Sequence, residues 1–285
     1  MHDSPAPPRP PLTRDRFVAH VLAAAATDAR IAGVLDYGST SEHRGDQWSD
    51  ADLVLFLRAA DIAAFERKWE TWLGQFGPVL LAYICGLGKP WAVLDALPLP
   101  LRVDFNFYPD TELDRILEWP CAPASVEAMV LYDATRGAIT ERVAQIVRQP
   151  LGPADPAAAF SQVSGDFWYY ALRTWAKVLR GQRLVAQHEF TAIMLANLAA
   201  LLRLEAGATE RWRNSSAVQD IEQAVSTARA AAFAECFVRG EADIERAFVA
   251  AVRLAQSACQ SIASRHGWLW PTELAAQVVA LEMRL

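Results

Sequence analysis

The chain has 285 residues, 53% of them hydrophobic, and a formal net charge of −6 at pH 7. This length and composition can bury the core of one large or two modest globular domains, which excludes a largely disordered protein. The acidic balance argues against a general nucleic-acid-binding protein, because such a protein carries a basic face. The four cysteines form no C-x-x-C pair, so we expect free thiols and neither a zinc site nor a disulfide framework.

The first residues, MHDSPAPPRPPL, are rich in proline and lack the apolar segment of a signal peptide. We therefore interpret residues 1–12 as a flexible leader. Apolar residues at helical spacing then predict a helix over residues 13–28, with Thr13 as its N-cap. The longest apolar run, residues 190–202, is too short to span a bilayer and predicts a core helix. We expect a cytoplasmic protein with no membrane partner.

The pattern of apolar residues up to about residue 149 predicts a small mixed sheet with helices. The segment RIAGVLDYG reads as a buried strand that runs into Gly38, and DADLVLFLR reads as a second strand. A helix is predicted over residues 60–76, where aromatic residues recur at helical spacing. Four further segments read as strands: PVLLAYICG, WAVLDAL, LRVDFNFYP and MVLYD.

The composition changes near Gln149, where QPLGPADP has the prolines and glycine of a linker or of the start of a helix. The remaining sequence predicts only helices, several of them followed by a glycine. Their predicted ranges are 156–180, 185–205, 216–239, 242–265 and 271–283. We therefore expect an α+β protein, with a mixed-sheet domain over residues 13–149 followed by an all-α helical-bundle domain over residues 150–285.

Three aspartates make a candidate metal site. Asp50 and Asp52 lie two apart in a predicted strand, so their side chains project from the same face. Two nearby carboxylates repel each other, and a hard divalent cation such as Mg²⁺ allows both to stay ionised. Asp104 is the single acid in the later strand LRVDFNFYP. If the two strands are neighbours, all three carboxylates converge; otherwise each is an ordinary solvent-facing aspartate.

Gly38 and Ser39 make a candidate phosphate site directly after the first strand. Glycine lets the backbone approach a ligand closely, and Ser39 and Thr40 offer amide and hydroxyl donors to an anion. A helix that begins around Thr40 would point its positive end at the same place. A simple strand-terminating turn would explain the Gly-Ser pair equally well. The sequence contains no G-x-x-x-x-G-K-[ST] phosphate loop.

Together, these residues resemble the nucleotidyltransferase superfamily typified by DNA polymerase β. Its hallmark is a glycine followed by Gly or Ser, a loop of about ten residues, Asp-x-Asp, and a third carboxylate on a later strand. Here Gly38-Ser39 precede Asp50-Ala51-Asp52, and Asp104 follows. The stretch from Tyr37 to Arg58 is most similar to antibiotic nucleotidyltransferases, those acting on lincosamides first and aminoglycosides next.

The resemblance implies a polymerase β-like catalytic domain and a transferase of the EC 2.7.7 type. It implies that Asp50, Asp52 and Asp104 bind magnesium, two ions in all, and that an NTP such as ATP is the co-substrate. Asp104 would also serve as the base for the acceptor hydroxyl. Gly38, Ser39 and Thr40 would bind the nucleotide's phosphates.

Basic residues in a predicted helix of the second domain are candidates for further phosphate contacts. Arg173, Lys177 and Arg180 lie on one face of that helix, and the resemblance singles out Lys177, with Arg173 beside it. A solvated basic face explains the spacing equally well. Arg44 is a weaker candidate of the same kind. Four aromatic residues of that helix, Trp168, Tyr169, Tyr170 and Trp175, are expected to form core packing between the domains rather than to stack on a ligand.

The resulting functional hypothesis is transfer of a nucleoside monophosphate from an NTP to a hydroxyl of a small-molecule antibiotic, which would give resistance. Two alternatives stay open: nucleotidylylation of a protein or RNA, and an inactive module that binds nucleotide only. We expect no stable nucleic-acid partner, and the sequence leaves open whether the chain forms a homodimer.

Overall fold

The computed structural model describes residues 11–210, 217–240 and 243–281. The chain divides into two compact units, Met1–Pro150 and Leu151–Leu285. Most of the predicted leader, residues 1–10, lies outside the described residues. Leu12, at its end, accepts a backbone hydrogen bond from the amide of Leu97 at 2.9 Å and packs against the core of the first unit.

The first unit combines six strands with short helices. The predicted first helix forms, and the Thr13 hydroxyl caps it by accepting from the amide of Arg16. The strands are β1 Ile31–Asp36, β2 Ala51–Leu57, β3 Val79–Ile84, β4 Pro90–Leu94, β5 Leu101–Pro109 and β6 Val130–Asp133. The helices are α1 Arg14–Ala25, α2 Ile62–Glu66, α3 Trp69–Leu73, a 3₁₀ helix Leu113–Glu118, α4 Val126–Met129 and α5 Ala138–Ile146.

The six strands form one mixed sheet in the order β3-β4-β5-β2-β1-β6. Only the central pair, β2 and β5, is parallel among the described pairings; the others are antiparallel. One face of the sheet packs on α1, α2 and α3 through a core that includes Phe17, Phe65 and Trp69. On the other face, β1 and β2 pack on the 3₁₀ helix, α4 and α5. The structure is therefore an α+β fold with a mixed sheet, as predicted.

Two parts of the first unit differ from the prediction. The helix predicted over residues 60–76 is instead two short helices, because the backbone leaves the helical region at Lys68 (φ −128°, ψ 9°). This break lets residues of both helices, Phe65 and Trp72 among them, reach the same core. Helix α5 was not predicted, although Ile139, Val143 and Ile146 have helical spacing and are buried.

In the described residues, the second unit consists of helices and their connections. These helices are α6 Pro156–Leu179, α7 Arg183–Glu189, a π-helical segment Phe190–Met194, α8 Leu195–Ala206, α9 Ile221–Ala224, α10 Thr227–Ala234, α11 Ile244–His266 and α12 Thr272–Leu281. Asp155 caps α6 by accepting from two amides, with Pro156 at the first helical position. The hydrophobic core of this unit includes Trp168 and Trp175, which are therefore buried as predicted but in a core made by residues of the second unit, and Tyr169, from the same prediction, is 61% exposed.

The helix predicted over residues 216–239 begins at Ser216, which lies outside the described residues. The described part contains two short helices, α9 and α10, since Val225 is extended (φ −122°, ψ 169°) and Ser226 caps a new helix. The stretch Arg183–Ala206 is long and apolar enough to cross a membrane by length and composition, but 50% of its most apolar window is buried inside the protein. Partial burial of this kind is typical of a core helix in a soluble protein.

Candidate active site

The parallel pairing of β2 and β5 brings two of the predicted acids together. Asp52 on β2 is the register partner of Asp104 on β5. Register partners on adjacent strands point to the same face, and neighbouring strands lie about 4.8 Å apart. The two carboxyl groups therefore project side by side from the middle of the sheet. The sequence predicted this arrangement on the condition that the two strands are neighbours, and that condition is met.

Burial and like charges raise the pKa values of both carboxyl groups. The pKa of Asp52 rises to about 7, first because the side chain is largely buried and then because Asp50, Asp104 and Asp36 are close. The pKa of Asp104 is also raised, by burial and then by the charge of Asp50, while Arg102 and Lys89 oppose the shift. The site is thus a cluster of carboxylates whose ionised forms repel one another.

Asp50 lies just before β2, and its carboxylate is directed to a neighbouring cation. One oxygen of Asp50 pairs with the guanidinium of Arg102 on β5 at 2.8 Å. The backbone carbonyl of Asp50 accepts a hydrogen bond from Nε of Arg14 at 2.8 Å. The negative charge of Asp50 therefore contributes to the raised pKa values of Asp52 and Asp104. The ion pair with Arg102 partly balances that charge.

A fourth acid, Asp36, belongs to the same cluster and was missed by the sequence analysis. It ends β1, is almost completely buried, and pairs with the guanidinium of Arg14 at 2.5 Å. Its other oxygen accepts a hydrogen bond from the amide of Gly38 at 3.0 Å. The signal was an aspartate at the end of an otherwise apolar strand, two residues before a glycine. Asp36 and Arg14 thus fix the turn that follows β1.

Gly38 packs directly against Asp52. A Cβ atom at position 38 would lie 2.2 Å from Oδ2 of Asp52 and 3.0 Å from its Cβ and Cγ atoms. Only glycine fits at this distance, so the close approach explains the residue without any positive φ. The turn after β1 and the carboxylate on β2 are therefore parts of one site.

The helix expected near Thr40 does not form. Residues 38–44 instead make successive turns, in which the amides of Ser41 and Arg44 bond to the carbonyls of Gly38 and Ser39 at 3.1 and 2.9 Å. Within the described residues, the amides of Ser39 and Thr40 donate to no protein group. The Ser39 hydroxyl bonds to the hydroxyl of Ser49 at 3.3 Å. The turn therefore presents two backbone donors beside Asp52 without a helix dipole.

The donor set of this cluster fits Mg²⁺. Carboxylate oxygens are hard ligands, and Mg²⁺ characteristically takes one or two carboxylates together with water and substrate phosphates rather than a complete protein cage. The raised pKa of Asp52 shows a local excess of negative charge that a cation would relieve. As the side chains stand, no three His, Cys, Asp or Glu residues in the described ranges are grouped closely enough to hold an ion alone. The four cysteines are free and buried.

The second unit contains the predicted basic residues on α6. Arg173 and Lys177 both pair with Oε1 of Glu189, at 2.9 and 3.6 Å. Glu189 is 6% exposed and precedes the π-helical segment, and its Oε2 atom is buried without a hydrogen-bond partner in the described structure. His188, which precedes Glu189 on α7, is exposed. The two cations thus share one carboxylate, which leaves a net positive charge.

Arg44 lies in the turn region after β1 and pairs with Glu42. This local ion pair gives Arg44 a role within the loop.

Comparisons with solved structures give two distant matches. The chain is similar to the crystal structure of an aminoglycoside 6-adenyltransferase from Bacillus subtilis, with 13% identity, a TM-score of 0.44, and coverage of 95% of this chain and 96% of that one. It is also similar to a nucleotidyltransferase-like protein from Exiguobacterium sibiricum, with 14% identity, a TM-score of 0.39, and coverage of 88% and 77%.

No protein-family model matches the chain, and no curated protein sequence matches it significantly. Because both TM-scores are below 0.5, the function proposed below depends on the geometry of the acidic cluster.

Replacing Gly38 with alanine should disrupt the site with little loss of fold. The new Cβ would collide with the carboxyl group of Asp52 and force that side chain or the turn to move. We expect Gly38→Ala to lower the rate of a reaction catalysed at this candidate site by about 100-fold, since small misplacements of reacting groups are this costly. Circular dichroism should show an unchanged fold.

Gly86→Ala is the matched control, because a Cβ there meets no atom within 4 Å and the residue is exposed. Equal activity of the two variants would show that the contact between Gly38 and Asp52 is unimportant.

Asp52→Asn should stabilise the protein in the absence of metal. A protonated Asp52 favours the folded state, and this contribution, complete below the ordinary pKa of 3.8, is lost as pH rises through the folded value of about 7. Asparagine stays neutral at every pH, so we expect its melting temperature to exceed that of the wild type by a few degrees at pH 8 and by less at pH 5.

Asp95→Asn, at an exposed position after β4, provides the control for loss of one negative charge. If Asp52→Asn melted below the wild type at pH 8, charge repulsion would not be the dominant effect at this position.

Proposed function

We propose that the protein is a magnesium-dependent nucleotidyltransferase that moves a nucleoside monophosphate from an NTP to a hydroxyl group of a small molecule. The observation that carries the proposal is the side-by-side placement of Asp52 and Asp104 on parallel strands. The glycine turn packed against Asp52 adds two unused amide donors at the same place. Carboxylates beside an anion-binding turn suit a reaction in which a metal and phosphates meet.

In this proposal, Asp50, Asp52 and Asp104 hold the magnesium, two ions by the resemblance. Bound Mg²⁺ would neutralise charge on the α-phosphate and on the pyrophosphate leaving group. The amides of Ser39 and Thr40, and the Ser39 hydroxyl, bind phosphate oxygens, while Gly38 allows their close approach. These groups orient the triphosphate so that the acceptor hydroxyl can attack in line.

Asp104 is the proposed base. Its carboxylate stands beside Asp52 on the same face, and a positioned carboxylate can accept a proton as a general base. It takes the proton of the acceptor hydroxyl as that oxygen forms a bond to the α-phosphorus, and the bond between the α-phosphorus and the bridging oxygen breaks to release pyrophosphate. Electrons and atoms balance without a covalent enzyme intermediate.

Lys177 and Arg173 are proposed to contact the nucleotide phosphates. Support comes from the net positive charge that remains when both cations share Glu189. A phosphate with more than one charge can compete with a single carboxylate for these donors. The neutralisation of Lys177 by Glu189 also fits a purely structural ion pair, which is why this role needs its own test.

The proposed acceptors are small antibiotics, with lincosamides and aminoglycosides as the two classes to examine, and modification of the drug would give resistance. The Bacillus subtilis protein is named an aminoglycoside 6-adenyltransferase, which keeps aminoglycosides among the acceptors to test. We place the protein in the cytoplasm, where NTPs are available.

Asp104→Asn tests the proposed reaction. The amide keeps the size of the side chain but cannot accept a proton, so we expect pyrophosphate release to fall at least 100-fold while the apparent KM for NTP changes less than about five-fold. The assay measures Mg²⁺-dependent pyrophosphate release from the four NTPs with a panel of lincosamides and aminoglycosides.

Asp95→Asn serves as the charge control and should keep full activity. Near-wild-type turnover by Asp104→Asn would refute the assignment of the base. If the wild type modified none of the panel but labelled a protein or RNA, the acceptor would be a macromolecule, and NTP binding with no turnover at all would indicate an inactive module.

Lys177→Ala tests the proposed phosphate contact. Loss of a charge-assisted hydrogen bond should raise the apparent KM for NTP about ten-fold and leave the KM for the acceptor within about two-fold. Arg180→Ala removes the same charge from an exposed position just after α6 and is the control. If both variants had the same KM for NTP, Lys177 would serve only its ion pair with Glu189.

A further inference from the structure

A single row of residues crosses four strands of the sheet and contains two of the three acids proposed for the site, Asp52 and Asp104. Tyr83 on β3 is the register partner of Trp91 on β4, and Trp91 is the partner of Asp104 on β5. Asp104 is in turn the partner of Asp52 on β2. Because register partners point to the same face, these four side chains lie in line on one face. The row changes from aromatic to acidic between β4 and β5.

The next row on the same face also changes from apolar to charged residues between β4 and β5. Leu81 on β3 pairs with Val93 on β4, and Val93 pairs with Arg102 on β5, whose guanidinium binds Asp50. The two rows together form a face that is apolar over β3 and β4 and charged over β5 and β2. We call the apolar part, made of Leu81, Tyr83, Trp91 and Val93, the aromatic platform.

The part of the aromatic platform on β3 is open to solvent, and Trp91 and Val93 on β4 are half-buried. Leu81 is 50% exposed and Tyr83 is 41% exposed, whereas the equivalent face of β1 and β2 is buried under α4 and α5. The rings of Tyr83 and Trp91 make an edge contact with centroids 6.2 Å apart and an interplanar angle of 87°. Nε1 of Trp91 is buried and has no hydrogen-bond partner in the described parts of the chain, so the exposed part of this side chain is its ring surface. Exposed adjacent apolar side chains at a sheet edge carry a cost in water, which a ligand would remove.

We propose that the aromatic platform is the acceptor-binding subsite, with Trp91 and Tyr83 stacking against a ring of the acceptor. The inference rests on the nucleotidyl transfer proposed above and specifies where the second substrate binds. It makes Trp91 and Tyr83 specificity-determining residues for that substrate.

The geometry favours the acceptor over the nucleotide as the occupant. The phosphate-binding turn and Asp52 lie on the β1 and β2 side of Asp104, so the nucleotide phosphates occupy that side. The attacking hydroxyl must lie at Asp104. Trp91 is one strand farther and Tyr83 two strands farther, about 5 and 10 Å away. A ring that carries the hydroxyl therefore covers Trp91.

The row also indicates the chemical class of the acceptor. A hydroxyl beside Asp104 and an apolar surface within about 5 Å suit a cyclic polyol such as a sugar or aminosugar, whose C–H face packs on an aromatic ring. Amino groups on such a ring would be attracted by the aromatic faces and by the acidic cluster. A long flexible chain without a ring would gain little from this surface.

A competing location for the acceptor lies nearby. A cavity of about 570 Å³ in the first unit is lined by Ile84, Lys89 and Asn106, among other residues. Ile84 follows Tyr83 on β3, so its side chain points to the opposite face, and it is 55% exposed. Ile84→Ala is therefore both a control matched in strand and exposure and a probe of the cavity.

The test compares steady-state kinetics of Tyr83→Ala, Trp91→Leu, Trp91→Phe and Ile84→Ala, with lincomycin and kanamycin A as acceptors and pyrophosphate release as the readout. We expect Tyr83→Ala and Trp91→Leu to raise the KM for the acceptor about five- to ten-fold, a loss typical of an aromatic contact. Trp91→Phe should retain part of the affinity. The KM for NTP should stay within about two-fold, and Tyr83→Ala, at an exposed position, should keep the fold.

An unchanged acceptor KM in Tyr83→Ala and Trp91→Leu would overturn the inference and leave the proposed transfer intact. A raised acceptor KM in Ile84→Ala alone would place the acceptor in the cavity and also overturn it. Equal losses for NTP and acceptor would indicate a structural role of the platform. If the wild type released no pyrophosphate with either acceptor, the proposed function would fail for this substrate class, and the subsite would fail with it.

Discussion

The parallel pairing of β2 with β5 is the constraint on which the candidate site depends. Antiparallel neighbours surround this pair, and its register sets Asp52 beside Asp104. A shift of one residue would send one of the two carboxyl groups to the opposite face, into the core that packs on α1 to α3. The apolar residues that alternate with these acids, Leu53 and Phe105 among them, are buried on that core and so hold the register. Burial of these apolar side chains thereby determines the positions of the two charged carboxyl groups.

The carboxylates of that site repel one another, so the surrounding fold must keep them close. Four aspartates, at positions 36, 50, 52 and 104, contribute negative charge, and among the described residues Arg14 and Arg102 pair with them directly. The pKa of Asp52 is raised to about 7 by its burial first and then by repulsion from the other three aspartates. Clusters of this kind are common at sites that bind a cation or catalyse proton transfer. At such sites the protein is less stable locally than it would be without the functional groups. The buried strands around the cluster supply the stability that it lacks.

The sequence predicted the strands, the Asp50-x-Asp52 pair and the third acid, because alternation and apolar runs are local signals. It could not predict that β2 and β5 are neighbours, since their pairing joins segments about fifty residues apart and depends on the whole sheet. Asp36 and Arg14 escaped notice for the same reason: a single acid and a single base show no pattern until the fold brings them together. The helix expected at Thr40 failed because local turns, held by the carbonyls of Gly38 and Ser39, satisfied the backbone first.

The platform on β3 and β4 also could not be recognised from spacing. Its aromatic residues look like ordinary strand residues in the sequence, and their importance comes only from sharing a row with Asp104. By contrast, the burial of Trp168 and Trp175 was predicted, because aromatic residues on an apolar helix face are usually core residues, although the prediction placed them between the domains and the core that contains them is made by residues of the second unit.

Arg14 connects helix α1 to the candidate site, although none of the four clustered aspartates lies on that helix. Its guanidinium binds the carboxylate of Asp36, which ends β1, and the carbonyl of Asp50, which lies just before β2. Asp36 in turn holds the amide of Gly38. Formation of the first turn of α1 is therefore a precondition for an ordered phosphate-binding turn, and a change at the amino-terminal end of the chain can reach the reacting groups through three consecutive contacts.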